Sequence, residues 1–338
     1  MTDAHSTHAT GGGQARPARV PLTFVPLSTA PLELDTSIPP WPGRQVPLAG
    51  ATLHVRETPG PHPDAPTAVY VHGLGGSATN WTDLANLLAG SAHGVAVDLP
   101  GFGQSEPPAG FDFALTSHAA VVADYLAGLD RGPVHLLGNS MGGAIAMLVA
   151  AERPELVRTL TLVSPAVPDL RPDLRRMADP RMPLAYLPVL GGPVRRQLAS
   201  LTPRQRAEQM IRLCFADPGR VPEHRVAESA QEIAGRLGLP WAADAINRST
   251  LGLIRAWLVP RARSLWQVAP RVSVPALVVW GDRDRLVSVR KAARTAELLP
   301  RGRLLVLPGT GHCAQMEQPV SVARAVLGMW GAVAERAW

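Results

Sequence analysis

The chain has 338 residues, 46 % of them hydrophobic, enough for one large α/β domain or two small ones with a sizeable core. Its net charge is +6 and its pI about 10.2, but its 33 basic residues, all arginine except Lys291, are scattered through the sequence, which argues against a nucleic-acid partner. No apolar run approaches the ~18 residues of a membrane span, and two cysteines, Cys214 and Cys313, are too few for a disulfide framework or a four-thiolate zinc site and read as small buried thiols.

Residues 1–44 form a separate segment. The opening "MTDAHSTHATGGGQARPARVP" is polar and Gly-rich, which predicts a flexible tail. It has no charged region followed by an apolar one, so no secretory signal is expected and a cytoplasmic location follows. The prolines of "LTFVPLSTAPLELDTSIPPWPGR" forbid a regular helix or a central strand and predict an extended path over the surface.

From residue 45 the pattern becomes regular. "QVPLAGATLHVRE" reads as a hairpin around "AG". Apolar runs and helical patterns then alternate. "TAVYVHG" (67–73) is a strand, "NWTDLANLLAG" (80–90) a helix and "HGVAVDLPG" (93–101) a strand. "LTSHAAVVADYLAGL" (115–129) is a helix with Thr116 or Ser117 as its cap. "PVHLLGN" (133–139) is a strand, Met141 to about Ala151 a helix, and "VRTLTLVSP" (157–165) a strand. "PALVVWGD" (275–282) and "GRLLVLPG" (302–309) are strands, each followed by a helical pattern. Continuous apolar strands between helices predict a doubly wound α/β fold with a mostly parallel sheet. The core is then 45–165 plus 269–338. Residues 166–268, with helical patterns such as "RQRAEQMIRLCFA" and "STLGLIRAWLV", form a helical insertion between two strands.

In "VHLLGNSMGGAIAML" (134–148) a buried strand turns into a helix through G-x-S-x-G. A serine at such a turn is held in a strained backbone conformation. Gly138 and Gly142 supply the small neighbours that let strand and helix backbones meet. The hydroxyl of Ser140 then points outward at the carboxyl end of the sheet, where open α/β folds bind ligands. Serine needs a base, and the base an orienting carboxylate. In the expected order Ser, Asp, His, the strand end "VVWGDRDRLVS" offers Asp282 and Asp284. His312 lies in the loop after the last strand. An oxyanion hole would draw one N–H from Met141 and one from the Gly-rich loop after "AVYVHGLGG", at Leu74.

The sequence resembles the α/β-hydrolase fold serine hydrolases from about residue 45 to the end, outside the insertion. The resemblance rests on "HGLGGS" (72–77), "DLPGFGQS" (98–105), "GNSMGG" (138–143), "GDRD" (281–284) and "GHCAQMEQP" (311–319), in family order. It implies Asp284 as the acid, three positions after the strand-ending glycine. It also implies a cap role for the insertion, a structural role for His72 under the oxyanion loop, and no metal or organic cofactor.

Asp98 and Ser105 are expected to hold their turn, and His135 to be a satisfied core histidine. Glu317 is expected to cap a helix or support the His312 loop, and Trp241, Trp257 and Trp266 to pack in preference to lining an acyl pocket. Carboxylic ester hydrolysis of a small-molecule ester or acyl substrate is the leading expectation. "GNSMGG" and GH-x-A-Q-x-E also resemble the meta-cleavage carbon–carbon hydrolases. Their oxyanion loop carries a further Gly-Pro-Gly, however, and they have tryptophans where this chain has Cys313 and Met316. A non-catalytic ligand-binding member of the fold is a third reading, disfavoured by an intact triad. Haloalkane dehalogenases and epoxide hydrolases are set aside because they use aspartate where this chain has Ser140. The arginine-rich "RPDLRRMADPRM" (171–182) raises contact with a membrane surface as a further expectation.

Overall fold

The computed structural model describes residues 22–170, 196–197, 200–260, 262 and 264–338. The expected tail over 1–21 and the arginine-rich stretch 171–182 lie outside them.

Eight strands form one sheet in the order β1-β2-β4-β3-β5-β6-β7-β8. They are β1 (Gly43–Pro47), β2 (Thr52–Thr58), β3 (Thr67–Val71), β4 (His93–Val97), β5 (Val134–Asn139), β6 (Val157–Val163), β7 (Ala276–Gly281) and β8 (Gly302–Leu307). β1 and β2 pair antiparallel, as does β2 with β4. From β4 to β8 every pairing is parallel. β1 begins at Gly43, just inside the stretch expected to belong to the N-terminal segment.

The core helices are α1 (Thr82–Leu88), α2 (Leu115–Gly128), α3 (Met141–Glu152), α7 (Leu265–Val268), α8 (Ala292–Leu298), α9 (Ala314–Glu317) and α10 (Pro319–Ala334); α7 packs in the core although it lies at the end of the stretch expected to belong to the insertion. The insertion supplies α4 (Pro203–Cys214), α5 (Glu223–Leu237) and α6 (Ala242–Leu258). Strand alternation sorts the core into two layers. Val69, Val71, Val278 and Trp280 face α2 and α3. Ala68, Tyr70, Leu277 and Val279 face α1 and α10. Central strands are therefore buried on both faces, which is why they read as unbroken apolar runs.

One helix start differs from expectation. α2 is preceded by Ala114 in extended conformation, and neither Thr116 nor Ser117 caps it. The turn is built upstream instead: Asp112 Oδ1 accepts the Ala114 N–H at 2.9 Å, and Phe113 adopts φ 59°.

Residues 22–42 cross the surface without regular secondary structure, as the prolines predict. They are tied down by Leu304 N–H to Leu22 O, 2.9 Å, and Trp41 Nε1 to Asn86 Oδ1, 2.7 Å. Among the described residues no helix is long and apolar enough to cross a membrane.

Parallel strands put the loops after β3, β5, β7 and β8 at one edge of the sheet. Those loops carry residues 72–76, 140–141, 282–284 and 308–313, which include every predicted site residue.

Candidate active site

Ser140 sits between β5 and α3 with φ 53° and ψ −118°, a backbone strain of roughly 1–3 kcal/mol for a non-glycine residue. Its surroundings impose that conformation. The Ser140 N–H donates to Val163 O at 3.0 Å, and Ser140 O accepts from Ala144 and Ala166. A Cβ on Gly142 would lie 2.2 Å from Val71 O, and one on Gly138 would lie 2.3 Å from Gly142 O. The glycines are therefore steric requirements of the turn. Ser140 itself is only partly buried.

His312 and Asp284 are brought together. The His312 Nδ1–H donates to Asp284 Oδ2 at 2.8 Å, since a carboxylate can only accept. Both side chains are almost fully buried. Asp284 Oδ1 accepts the N–H groups of Leu286 (2.8 Å) and Val287 (3.0 Å), so the acid is locked by its own turn. Burial is the largest influence on His312 and opposes its charge. The charge and hydrogen bond of Asp284, with help from Cys214, reverse this and leave its pKa above the ordinary 6.5. Asp282 plays another part: its Oδ1 accepts the Thr310 N–H at 3.3 Å and braces the loop before the histidine.

Asn139 joins the serine turn to the histidine loop. Its Nδ2 donates to Val163 O (3.0 Å) and to His312 O (3.2 Å). The loop after β3 closes on the same place, with a Cβ on Gly73 falling 3.0 Å from Ser140 Cβ. Leu74 follows, partly buried against the core, and Met141 begins α3. His72 holds the loop from beneath. Its Nδ1–H donates to Gly73 O at 2.7 Å, and its Nε2 accepts from Leu99 N at 3.0 Å. Burial lowers its pKa, consistent with a neutral structural imidazole rather than a base.

Asp98 ties "DLPGFGQS" to this loop by accepting from His54 Nδ1 (2.7 Å), Ala78 N (2.7 Å) and Gln104 N (3.0 Å). Ser105 Oγ donates to Asp98 O. His135 pairs with Thr159 Oγ1 at 2.8 Å and stacks on Trp330; burial pushes its pKa down to about 3. Trp257 packs on the core and donates to Ala166 O. Trp266 packs there too, under Arg294. Trp241 stands at the start of α6, partly buried, with its indole N–H unpaired among the described residues.

Three features were not foreseen. Glu317 supports the His312 loop, as expected, by accepting from Gly311 N (2.6 Å), and beyond that expectation it also accepts from Ala216 N (3.0 Å) and Asp217 N (2.9 Å), so that it bridges two regions. The His312 N–H also donates to Cys214 O at 2.6 Å. The end of α4 and the residues after it are thus fastened to the histidine loop. On the opposite side, α5 grips the oxyanion loop. Arg236 Nη1 donates to Gly75 O (2.7 Å) and Gly76 O (3.2 Å), and Thr79 Oγ1 donates to Glu232 Oε2 (2.5 Å). Glu232 and Arg236 are ordinary exposed-helix residues by pattern, and no local signal marks them. Asp169 accepts the Ser288 N–H at 3.1 Å and faces Lys291 at 3.7 Å, linking the loop after β6 to the one after β7.

The description "alpha/beta hydrolase fold" belongs to the family model that matches residues 66–319. A dihydrolipoyllysine-residue acetyltransferase component of an acetoin cleaving system from Cupriavidus necator is 29 % identical over 75 % of this chain and 60 % of its own length. The chain thus spans less than two thirds of that relative. A monoacylglycerol lipase from Rattus norvegicus is 26 % identical over 78 % of this chain and 74 % of its own. Among solved structures, the 2-hydroxy-6-oxo-6-phenylhexa-2,4-dienoate hydrolase from Rhodococcus sp. strain RHA1 superposes with a TM-score of 0.69 at 23 % identity, covering 89 % of this chain and 100 % of that one.

Proposed function

The chain belongs to the α/β-hydrolase fold family, and from that premise we propose that it is a serine hydrolase cleaving carboxylic esters through Ser140, His312 and Asp284. The observation that carries the proposal is the strained Ser140 turn, stapled by Asn139 to the loop on which His312 donates to Asp284. With Nδ1–H committed to Asp284, the Nε2 lone pair of His312 is left to take the serine proton. Ser140 Oγ attacks the ester carbonyl carbon, and the amides of Leu74 and Met141 receive the developing oxyanion, each worth on the order of 3 kcal/mol. His312 returns the proton to the leaving alcohol. Water then enters by the same route and releases the acid.

Ester cleavage is favoured by the lipase among the relatives and by the apolar, proline-rich sequence of the cap. Carbon–carbon hydrolysis is the second reading, on the strength of "GNSMGG" and the Gln315–Glu317 pattern after His312. The two are separated by turnover of p-nitrophenyl esters of increasing acyl length by wild type and Ser140→Ala. Esterase activity is expected in the wild type, falling by roughly 10⁴–10⁶ in the variant. Inert esters alongside cleavage of a vinylogous 1,5-diketone would instead support the second reading.

A further inference from the structure

Two thiols lie at the seam between cap and core, outside the proposed chemistry. Cys214 ends α4 in the cap, and Cys313 directly follows His312. The backbone of Cys214 is pressed against the two residues that precede Cys313. Cys214 O accepts the His312 N–H at 2.6 Å, and a Cβ on Gly311 would lie 2.3 Å from Cys214 O and 2.7 Å from Ala216 N. The thiols are near enough for each to shift the other's ionisation, and Cys313 Sγ lies 3.7 Å from Asn139 Oδ1. Both are free and partly buried.

We propose that Cys214 and Cys313 form a reversible disulfide that locks the cap onto the catalytic-histidine loop and slows turnover. The effect on turnover rests on the function proposed above; formation of the bond does not. The oxidant is a small-molecule disulfide such as oxidised glutathione. The Cys214 thiolate attacks one glutathione sulfur and expels a glutathione thiolate. Cys313 loses its proton, attacks the mixed disulfide at Cys214 and expels the second. Two protein thiols are oxidised, one disulfide is reduced to two thiols, and the two protons end on glutathione.

The order of attack follows from the environment. The neighbouring Cys313 thiol is the largest influence on Cys214 and, with His312, outweighs burial to hold its pKa below the ordinary value. The same contact and burial push Cys313 up, which suits the second, resolving thiol.

Closing the bond draws the sulfurs to about 2.05 Å. Cys313 moves with the backbone that carries His312 and is touched by Asn139. A displacement of about 1 Å at a general base can cost ~100-fold in rate, so a fall in kcat of roughly tenfold or more is expected. The bond also closes a loop on the order of 100 residues, which predicts a rise in Tm of about 5–10 °C.

The test treats the full-length protein with a series of reduced-to-oxidised glutathione ratios. Intact mass, peptide mapping, Tm and ester turnover are followed before and after dithiothreitol. The proposal expects loss of two hydrogens, a crosslinked pair of peptides containing Cys214 and Cys313, the rise in Tm, and a reversible fall in kcat. Cys214→Ser, checked for folding by its own melt, should give no crosslink and no oxidant-dependent change in rate. Retention of both thiols in the wild type, or two separate glutathione adducts, would overturn the disulfide. A crosslink with unchanged turnover would overturn the lock. If no ester is cleaved even when reduced, the proposed function fails while mass and Tm still decide the bond.

Discussion

The core loops and the cap meet at the same site but are held by different physics. Around Ser140 the constraints are steric and local: Gly138 and Gly142 leave no room for a Cβ, and the strands beneath are fully buried. The cap helices expose Leu251, Ile254 and Leu258 and are fastened to the site by polar contacts. Arg236 and Glu232 hold the oxyanion loop, and Glu317 joins Ala216 and Asp217 to Gly311. Packing fixes the position of the chemistry, while the cap, seated on the core through Leu253, Ala256 and Trp257 of α6, reaches the catalytic loops through hydrogen bonds that can be broken one at a time. Substitutions in the core should therefore abolish function, and substitutions in the cap clamps should grade it.

The largest effect should come from Gly142→Ala. Its Cβ would overlap the carbonyls of Val71 and His72, which are backbone atoms that cannot rotate away. A loss of about 3 kcal/mol or more is expected, exceeding the helix-propensity gain of ~1 kcal/mol. Chemical denaturation would read it, and a stable, active Gly142→Ala protein would break the comparison at its root.

Next is Asp284→Asn, which should lower kcat by on the order of 10³–10⁴ with little change in KM. The pH dependence gives a second readout. Catalysis needs neutral His312, whose pKa is raised above 6.5, so the ascending limb of kcat/KM should lie above pH 6.5. Without the Asp284 charge, burial dominates and the limb should move to lower pH. The raised pKa also contributes stability that is fully present below pH 6.5 and lost as pH rises through the folded value. The variant should accordingly lose more stability on the acid side.

Glu317→Gln is expected to be intermediate. One of its three N–H contacts would face an amide NH₂, leaving a buried donor unsatisfied at a cost of ~1–3 kcal/mol. As a positioning residue it should lower kcat about 10- to 100-fold with KM nearly unchanged; a KM effect alone would assign it to the cap. Arg236→Ala should be the smallest, raising KM less than about tenfold as the oxyanion loop loosens, with the triad's pH profile unmoved.

The same contrast explains what could be read in advance. The strands, the Ser140 turn and the two chain-adjacent loops show in sequence because each is specified by its own neighbours: continuous apolar runs, small residues at a tight turn, aspartates at a strand end. Asp284 rather than Asp282 came from the family pattern; in the structure it is Asp284 that accepts from His312 Nδ1. The cap contacts did not show, because Arg236 and Gly75, or Glu317 and Ala216, are far apart in the chain and ordinary in their own segments. The start of α2 misled because the serine and threonine in its first turn look like caps, whereas Asp112 had already turned the chain.

The central claim is that Ser140 is the nucleophile, and active-site labelling tests it most directly. The protein would be treated with a fluorophosphonate and the adduct mapped by peptide mass. One adduct is expected, on Ser140, lost in Ser140→Ala and slowed in Asp284→Asn. An adduct on another residue, or a folded wild-type protein that takes none, would contradict it.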